Sequence, residues 1–358
     1  MRIPHRSPIS TARPDPPPVT AGGGHDADAD ATATPAFVTT ILRRLVQPDV
    51  RALAALVATP SLIGNDTVVA LLEDGWRWAC LADRRAWLAE LDAQPEPLLR
   101  HIGRSNGRQL GRYAEALWQF WFAHLPGACV HAAGLPVKDG ATVRGEFDFI
   151  VTLPGLPGVS HLETGYKFFL YCPPGAAAER CVGPDPFDRL DRKWRHMQDV
   201  QLPLSQTALG RAALPPGIDP ATVTPRACLQ GCVFYPLDGA RPALPALAPG
   251  HARGHWCRFD DTPRWAEHAA RWVILDKRAW IAPARLPPQP GAEASAVRTA
   301  AEAQAELARH FAGSRQARLL AGLVPEADGG WRESARVFVV ASEWPGADGL
   351  DPHLPLQA

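Results

Sequence analysis

No sign of charge dominates this chain of 358 residues: Lys+Arg and Asp+Glu each number 37, so the formal net charge is zero. Global charge therefore names no polyanion as a partner, although a local basic groove would suffice to hold one. Long apolar runs are missing too. None approaches the ~18 consecutive residues that a membrane-spanning helix needs, and no stretch has the layout of a signal peptide. A soluble cytoplasmic protein with no membrane partner is expected. The 7 cysteines are an odd number scattered along a long chain, which makes no disulfide framework. What is plentiful, alanine and 37 prolines, reads as compositional bias. The length allows one large domain or two ordinary ones.

Residues 1–33 are rich in Pro, Gly, Ala and Asp with almost no large apolar side chains, the composition of a disordered tail. From Pro35 the pattern turns helical, with Phe37, Ile41, Leu42 and Leu45 on one stripe, so residues 34–104 are expected to form a helical N-terminal region. Trp76, Trp78 and Trp87 read as its core or docking aromatics. The run from Gly111 to Phe122 predicts a mostly buried helix whose stripe is Tyr113, Leu117, Phe120 and Trp121. Glu115 and Gln119 form an i, i+4 polar pair among those aromatics, either exposed or aimed into a site. A strand through Val130 and a turn at Lys138-Asp139-Gly140 follow.

The central feature is a hairpin. Gly145 to Val151 and His161 to Tyr171 both alternate apolar and polar residues, and Pro154-Gly155-Leu156-Pro157-Gly158 between them is a turn-forming cluster. Period-two alternation puts Glu146, Asp148 and Ile150 on one face of the first strand and His161, Glu163, Gly165 and Lys167 on one face of the second. Carboxylates in the middle of a sheet are unfavourable, so several of them beside a lysine point to a divalent-metal site. Further on, Asp188 is placed to cap a helix reaching Met197, with Arg189, Lys193 and His196 along one basic face, either solvated or phosphate-binding. Gly231 to Pro236 reads as a buried strand.

A helix glutamate, then a Gly145-Glu146-Phe147-Asp148-Phe149-Ile150 strand, then a strand bearing Glu163 and Lys167 resembles the PD-(D/E)XK nuclease-like superfamily. With Gly183-Pro184, Asp188-Arg189-Leu190, Lys193 and Gln201-Leu202 added, the whole resembles an uncharacterised bacterial family, domain of unknown function 1853. The resemblance implies an α/β fold with a restriction-endonuclease-like core over residues 105–240: a helix, a mixed sheet of four to five strands, and a helix. The helical region precedes it, and an α+β extension over 241–358 follows. It also implies a nuclease acting on DNA with Mg²⁺ (or Mn²⁺) as cofactor.

Such chemistry needs an activated water and neutralised phosphate charge, which hard cations on oxygen ligands supply. Asp148 and Glu163 are the expected metal ligands, with Glu146 as a spare carboxylate. Glu115 would position a metal-bound water or a second ion, and Lys167 would orient the attacking water or stabilise the phosphorane. Arg189, Lys193 and Gln201 are assigned to substrate binding. One departure stands out. Three residues separate Glu163 from Lys167 where the superfamily has one, which puts the Cα atoms roughly 13 Å apart instead of ~7 Å. A catalytically impaired scaffold that binds nucleic acid or a partner protein is the alternative. A competing metal reading, structural zinc on Cys228, Cys232, His251, His255 and Cys257, lacks a recognised spacing. In the extension, residues 292–312 predict a helix and Val337 to Ala341 a last strand.

Overall fold

The computed structural model describes residues 34–64, 68–103, 109–239, 241–261, 264–288 and 296–346, so the expected tail over 1–33 lies outside the described residues. The N-terminal region is helical, as its periodicity requires: α1 (Ala36–Arg44), α2 (Pro48–Ala58), α3 (Asp74–Asp83), α4 (Arg85–Ala93), α5 (Glu96–Gly103) and α6 (Leu110–His124). A proline at the start of α2 costs no hydrogen bond there, and the Gln47 side chain accepts from the Val50 amide to cap it. Every residue of α2 from Val50 to Ala58 is buried, so this helix is the centre of the layer. Trp76 and Trp78 dock it through indole donors to the carbonyls of Pro154 and Ala58.

Beneath the helices lies one mixed sheet of ten strands among the described residues, larger than the expected four or five. The strands are β1 (Cys129–Asp139), β2 (Thr142–Thr152), β3 (Val159–Tyr171), β4 (Cys181–Val182), β5 (Val223–Pro236), β6 (Ala252–Arg258), β7 (Arg271–Leu275), β8 (Arg285–Leu286), β9 (Arg318–Pro325) and β10 (Trp331–Val340). Their order is β1-β2-β3-β5-β6-β10-β9-β7, with β4 beside β3 and β8 beside β10. β3, β5, β6 and β10 run parallel, and both flanks are antiparallel. The sheet outgrows the expectation because the extension joins it. β10 pairs with β6 and buries Val337, Phe338, Val339 and Val340 on both faces. A strand covered on both sides reads as a continuous apolar run, which carries no sign of which sheet it enters.

The two faces of β3 sort the remaining helices. Leu162, Phe168 and Leu170 share a core with α2 and α6. Phe169 and Tyr171 share another with Leu190 and Met197, on the segment that begins with α7 (Leu190–His196). The expected start of that helix is corrected: Arg189, not Asp188, occupies the N-cap, and the Asp188 carboxylate takes the Lys167 ammonium instead. After His196 the chain widens into a π-turn, Met197–Gln201, and tightens into a 3₁₀ turn, Leu202–Gln206. Pro203 lacks the amide that would continue the α pattern. Two more helices follow, α8 (Ala208–Ala213) and α9 (Ala300–Phe311).

α9 supplies the helix expected over 292–312, of which residues 292–295 lie outside the described residues. Thr299 and Glu302 close a reciprocal capping box at its start. Thr299→Ala is expected to cost ~1 kcal/mol of stability, read as a lowered denaturant midpoint with an unchanged slope. An unchanged midpoint would mean that tertiary packing alone holds the helix.

Candidate active site

The site forms where a ladder opens. β2 and β3 pair only through Phe149–Val151 and Leu162–Ser160. Continued by one step, the register would place Asp148 opposite Glu163, and there side chains replace the ladder. The Asp148 amide donates to Glu163 Oε1 at 3.3 Å. The Thr164 amide and hydroxyl donate to Asp148 Oδ2 at 2.8 and 3.1 Å. Each acid thus caps a backbone donor freed by the splaying strands, which a buried fork must satisfy somehow.

Glu163 has no solvent exposure and is held on every side. Its Oε1 also meets His161 Nε2 at 2.8 Å, and Gln201 Nε2 donates to its Oε2 at 2.6 Å. His161 Nδ1 lies 3.0 Å from Ser205 Oγ, and the imidazole stands edge-on to Phe147. Lys193 Nζ donates to Gln201 Oε1 at 2.8 Å. An ammonium can only donate, so the Lys193–Gln201–Glu163 chain has one polarity and points its last N–H at the carboxylate. The π-turn is what swings Gln201 into this chain; such bulges recur at functional sites.

Burial pushes the Asp148 carboxyl up to about 6, helped by the neighbouring Glu163 charge and resisted by the Thr164 donors and Lys193. Burial likewise pushes Glu163 up to about 7 against the Asp148 amide, Lys193 and Gln201. Glu115 is raised by burial and then by Asp148. His161 is pushed down to about 4 by burial, so its ring is neutral at pH 7. Lys193 is lowered by burial, opposed by the charges of Asp148 and Glu163.

Asp148 faces an open cleft of about 180 Å³ that Glu115 and Gln119 of α6, Gly134 of β1 and Glu146 of β2 also line. Arg112 stands at its mouth, 3.4 Å from Glu115 and 3.7 Å from Glu146. Three carboxylates from α6 and β2 thereby line one cleft, with Glu163 buried beside Asp148 and linked through Gln201 to Lys193. Two expected members are elsewhere. Lys167 Nζ sits 3.0 and 2.9 Å from the two oxygens of Asp188. Arg189 is buried, with its guanidinium forked onto Asp191, and does not lie on an open basic face. His161 shares a strand face with Glu163, so its place was legible; Thr164 and Ser205 left no sequence signal, because their roles depend on the fork and on the turn after α7.

Among the described residues no group of three or more His, Cys, Asp or Glu is close enough to enclose a metal ion. The zinc alternative therefore finds no convergent set, and His251 bonds to the Tyr235 hydroxyl instead. A magnesium ion asks less, being held by one or two carboxylates and several waters. Asp148 fits that demand, because its Oδ2 takes both Thr164 donors and no donor among the described residues reaches Oδ1, whereas both oxygens of the buried Glu163 already accept hydrogen bonds. Also among the described residues, no helix is long and apolar enough to cross a membrane.

A family model described as Domain of unknown function (DUF1853) matches residues 51–340. No curated protein and no solved structure matches the chain.

Proposed function

We propose, from the premise that this chain belongs to the family described as Domain of unknown function (DUF1853), that the acidic cleft is a nuclease site hydrolysing DNA phosphodiesters with Mg²⁺ or Mn²⁺. The resemblance of the β2–β3 hairpin to the PD-(D/E)XK superfamily and its restriction-endonuclease-like core supports this reading. One observation carries it: Asp148 and the fully buried Glu163 are repelling carboxylates on adjacent strands, and Asp148 faces a cleft that holds two more. As mere ladder caps they are a poor choice. Asparagine and glutamine would satisfy the same amides without buried like charge. Groups kept ionisable against such a penalty are candidates for function.

Asp148 would hold the cation, with Glu163 buried beside it and Glu146 lining the same cleft. The bound ion supplies an acidified water and neutralises phosphate charge. The chain supplies orientation and proton handling. His161, Gln201 and the Asp148 amide fix the Glu163 carboxylate, as partners of metal-binding groups do. Glu115, raised by burial and by Asp148, can take a proton at the cleft. Arg112 can leave its loose contacts with Glu115 and Glu146 to meet a phosphate. The engagement of Lys167 with Asp188 favours a second reading, a scaffold that binds DNA without cutting it.

Incubation of the protein with single-stranded, double-stranded and branched DNA in Mg²⁺, Mn²⁺ or chelator separates the two. Cleavage that needs metal and falls at least ~100-fold in Asp148→Asn is expected, on the scale of losing one charge-stabilising group. Binding without cleavage, unchanged in Asp148→Asn, would establish the scaffold reading instead.

A further inference from the structure

The geometry points to Lys193, reaching in from α7, as the lysine that meets the scissile phosphate, with Gly165 as the space that admits it. This rests on the nuclease reading. Gly165 is two residues beyond Glu163 on the same face of β3, and it carries no side chain there. A Cβ at this position would stand 3.4 Å from Lys193 Cε, 2.9 Å from Leu229 Cδ1 and 3.9 Å from Met197 Cε. The Lys193 stem therefore fills the volume that a side chain at residue 165 would claim. Its ammonium ends one glutamine from Glu163.

Lys167, although on the same strand face, is four residues along from Glu163 and bound to both oxygens of Asp188. Reaching the cleft would mean giving up that pair. Lys193 gives up only a neutral amide oxygen, and when it does, Gln201 keeps its hold on Glu163. The charged groups around the Lys193 ammonium are Asp148 on β2, Glu163 and Lys167 on β3, and Asp188 ahead of α7. Asp148 and Glu163 favour the cation, and a phosphate oxygen would be its natural next partner.

The sequence has only four lysines, Lys138, Lys167, Lys193 and Lys277, which makes a direct test practical. Two readouts are combined. The first is metal-dependent cleavage by the parent, Lys193→Met, Lys193→Arg and Lys167→Met. Methionine keeps an unbranched apolar stem over Gly165, so the variant folds. Lys193→Met is expected to lose ~100-fold, Lys193→Arg to recover part of it, and Lys167→Met to stay within ~3-fold of the parent. The second readout needs no activity. Pyridoxal 5′-phosphate, an aldehyde carrying a phosphate, condenses with an amine beside a phosphate site, losing water, and borohydride reduces the imine to a stable adduct.

Peptide mapping is expected to find the adduct on Lys193, suppressed by an oligonucleotide in Ca²⁺ and absent from Lys193→Met. If no DNA is cut but Lys193 is selectively labelled and protected, Lys193 is the phosphate-contacting lysine of a binding site, and the nuclease reading fails with the scissile part of the assignment. Labelling of Lys167 in preference to Lys193, equal labelling of all four, or cleavage lost in Lys167→Met and kept in Lys193→Met would each overturn it.

Discussion

Asp148→Asn is expected to make the metal-free protein more stable at pH 7, by ~3 kcal/mol, while removing the proposed metal-dependent cleavage. Asparagine keeps an oxygen for the two Thr164 donors, so the fork stays closed. What disappears is a carboxylate raised from 3.8 to about 6 by burial and by Glu163. About two units at ~1.4 kcal/mol each give the magnitude. The sign follows from proton binding. A folded-state acid with a raised value holds its proton where the unfolded chain has lost it, so rising pH favours unfolding across that window.

For Asp148 the window runs from about 4 to 6, and Glu163, raised from 4.5 to about 7, extends it. The parent should lose stability steadily from pH 4 to pH 7, opposite to the trend of an acid in a structural ion pair. Asp148→Asn should flatten much of that slope and gain nothing below pH 4, where both states of the parent are protonated. Saturating Mg²⁺ should raise the midpoint of the parent and leave the variant unmoved, since only a bound ion stabilises the native state by mass action. Denaturant melts at four pH values, with and without Mg²⁺, check this. Asp148→Asn less stable than the parent at pH 7 would show that the carboxylate is a structural partner and no functional burden.

The hairpin and the α6 helix were legible because alternation and helical stripes are local properties of the sequence. The Glu163–Lys167 spacing also departs from that of the superfamily the hairpin resembles. What could not be read was that Lys193 is linked to Glu163 through Gln201. Lys193 is thirty residues beyond Glu163, and its approach depends on the missing side chain at Gly165 and on how α7 crosses β3. The expected cap at Asp188 failed for a similar reason: a tertiary partner, Lys167, competes for the same carboxylate. The size of the sheet was hidden because β6 and β10 pair in parallel across a long separation, and parallel registry leaves no turn signature between partners.

Gly231→Ala should be the most damaging single substitution around the site, costing ~4 kcal/mol or more, although it touches no functional group. Gly231 lies beside Lys167 in the β3–β5 ladder at φ +141, and an added Cβ would fall 1.6 Å from the Lys167 carbonyl oxygen and 2.9 Å from its amide nitrogen. Those atoms belong to the backbone of a central parallel strand and cannot step aside. Backbone strain and overpacking each contribute ~1–3 kcal/mol, and here both apply. Gly165→Ala is the informative contrast, because its near neighbours are the ends of flexible side chains, Leu229 Cδ1 and Lys193 Cε. It should fold with a modest loss of stability and still displace Lys193. Soluble yield, denaturant midpoint and cleavage rate measured on both variants test the pair. The expected pattern is collapse without a fold for Gly231→Ala, and for Gly165→Ala a folded protein in which the proposed cleavage is weakened. A well-folded Gly231→Ala would mean that β3 and β5 can shear apart at this rung, and the close approach that holds Glu163 and Gly165 in line would lose its physical basis.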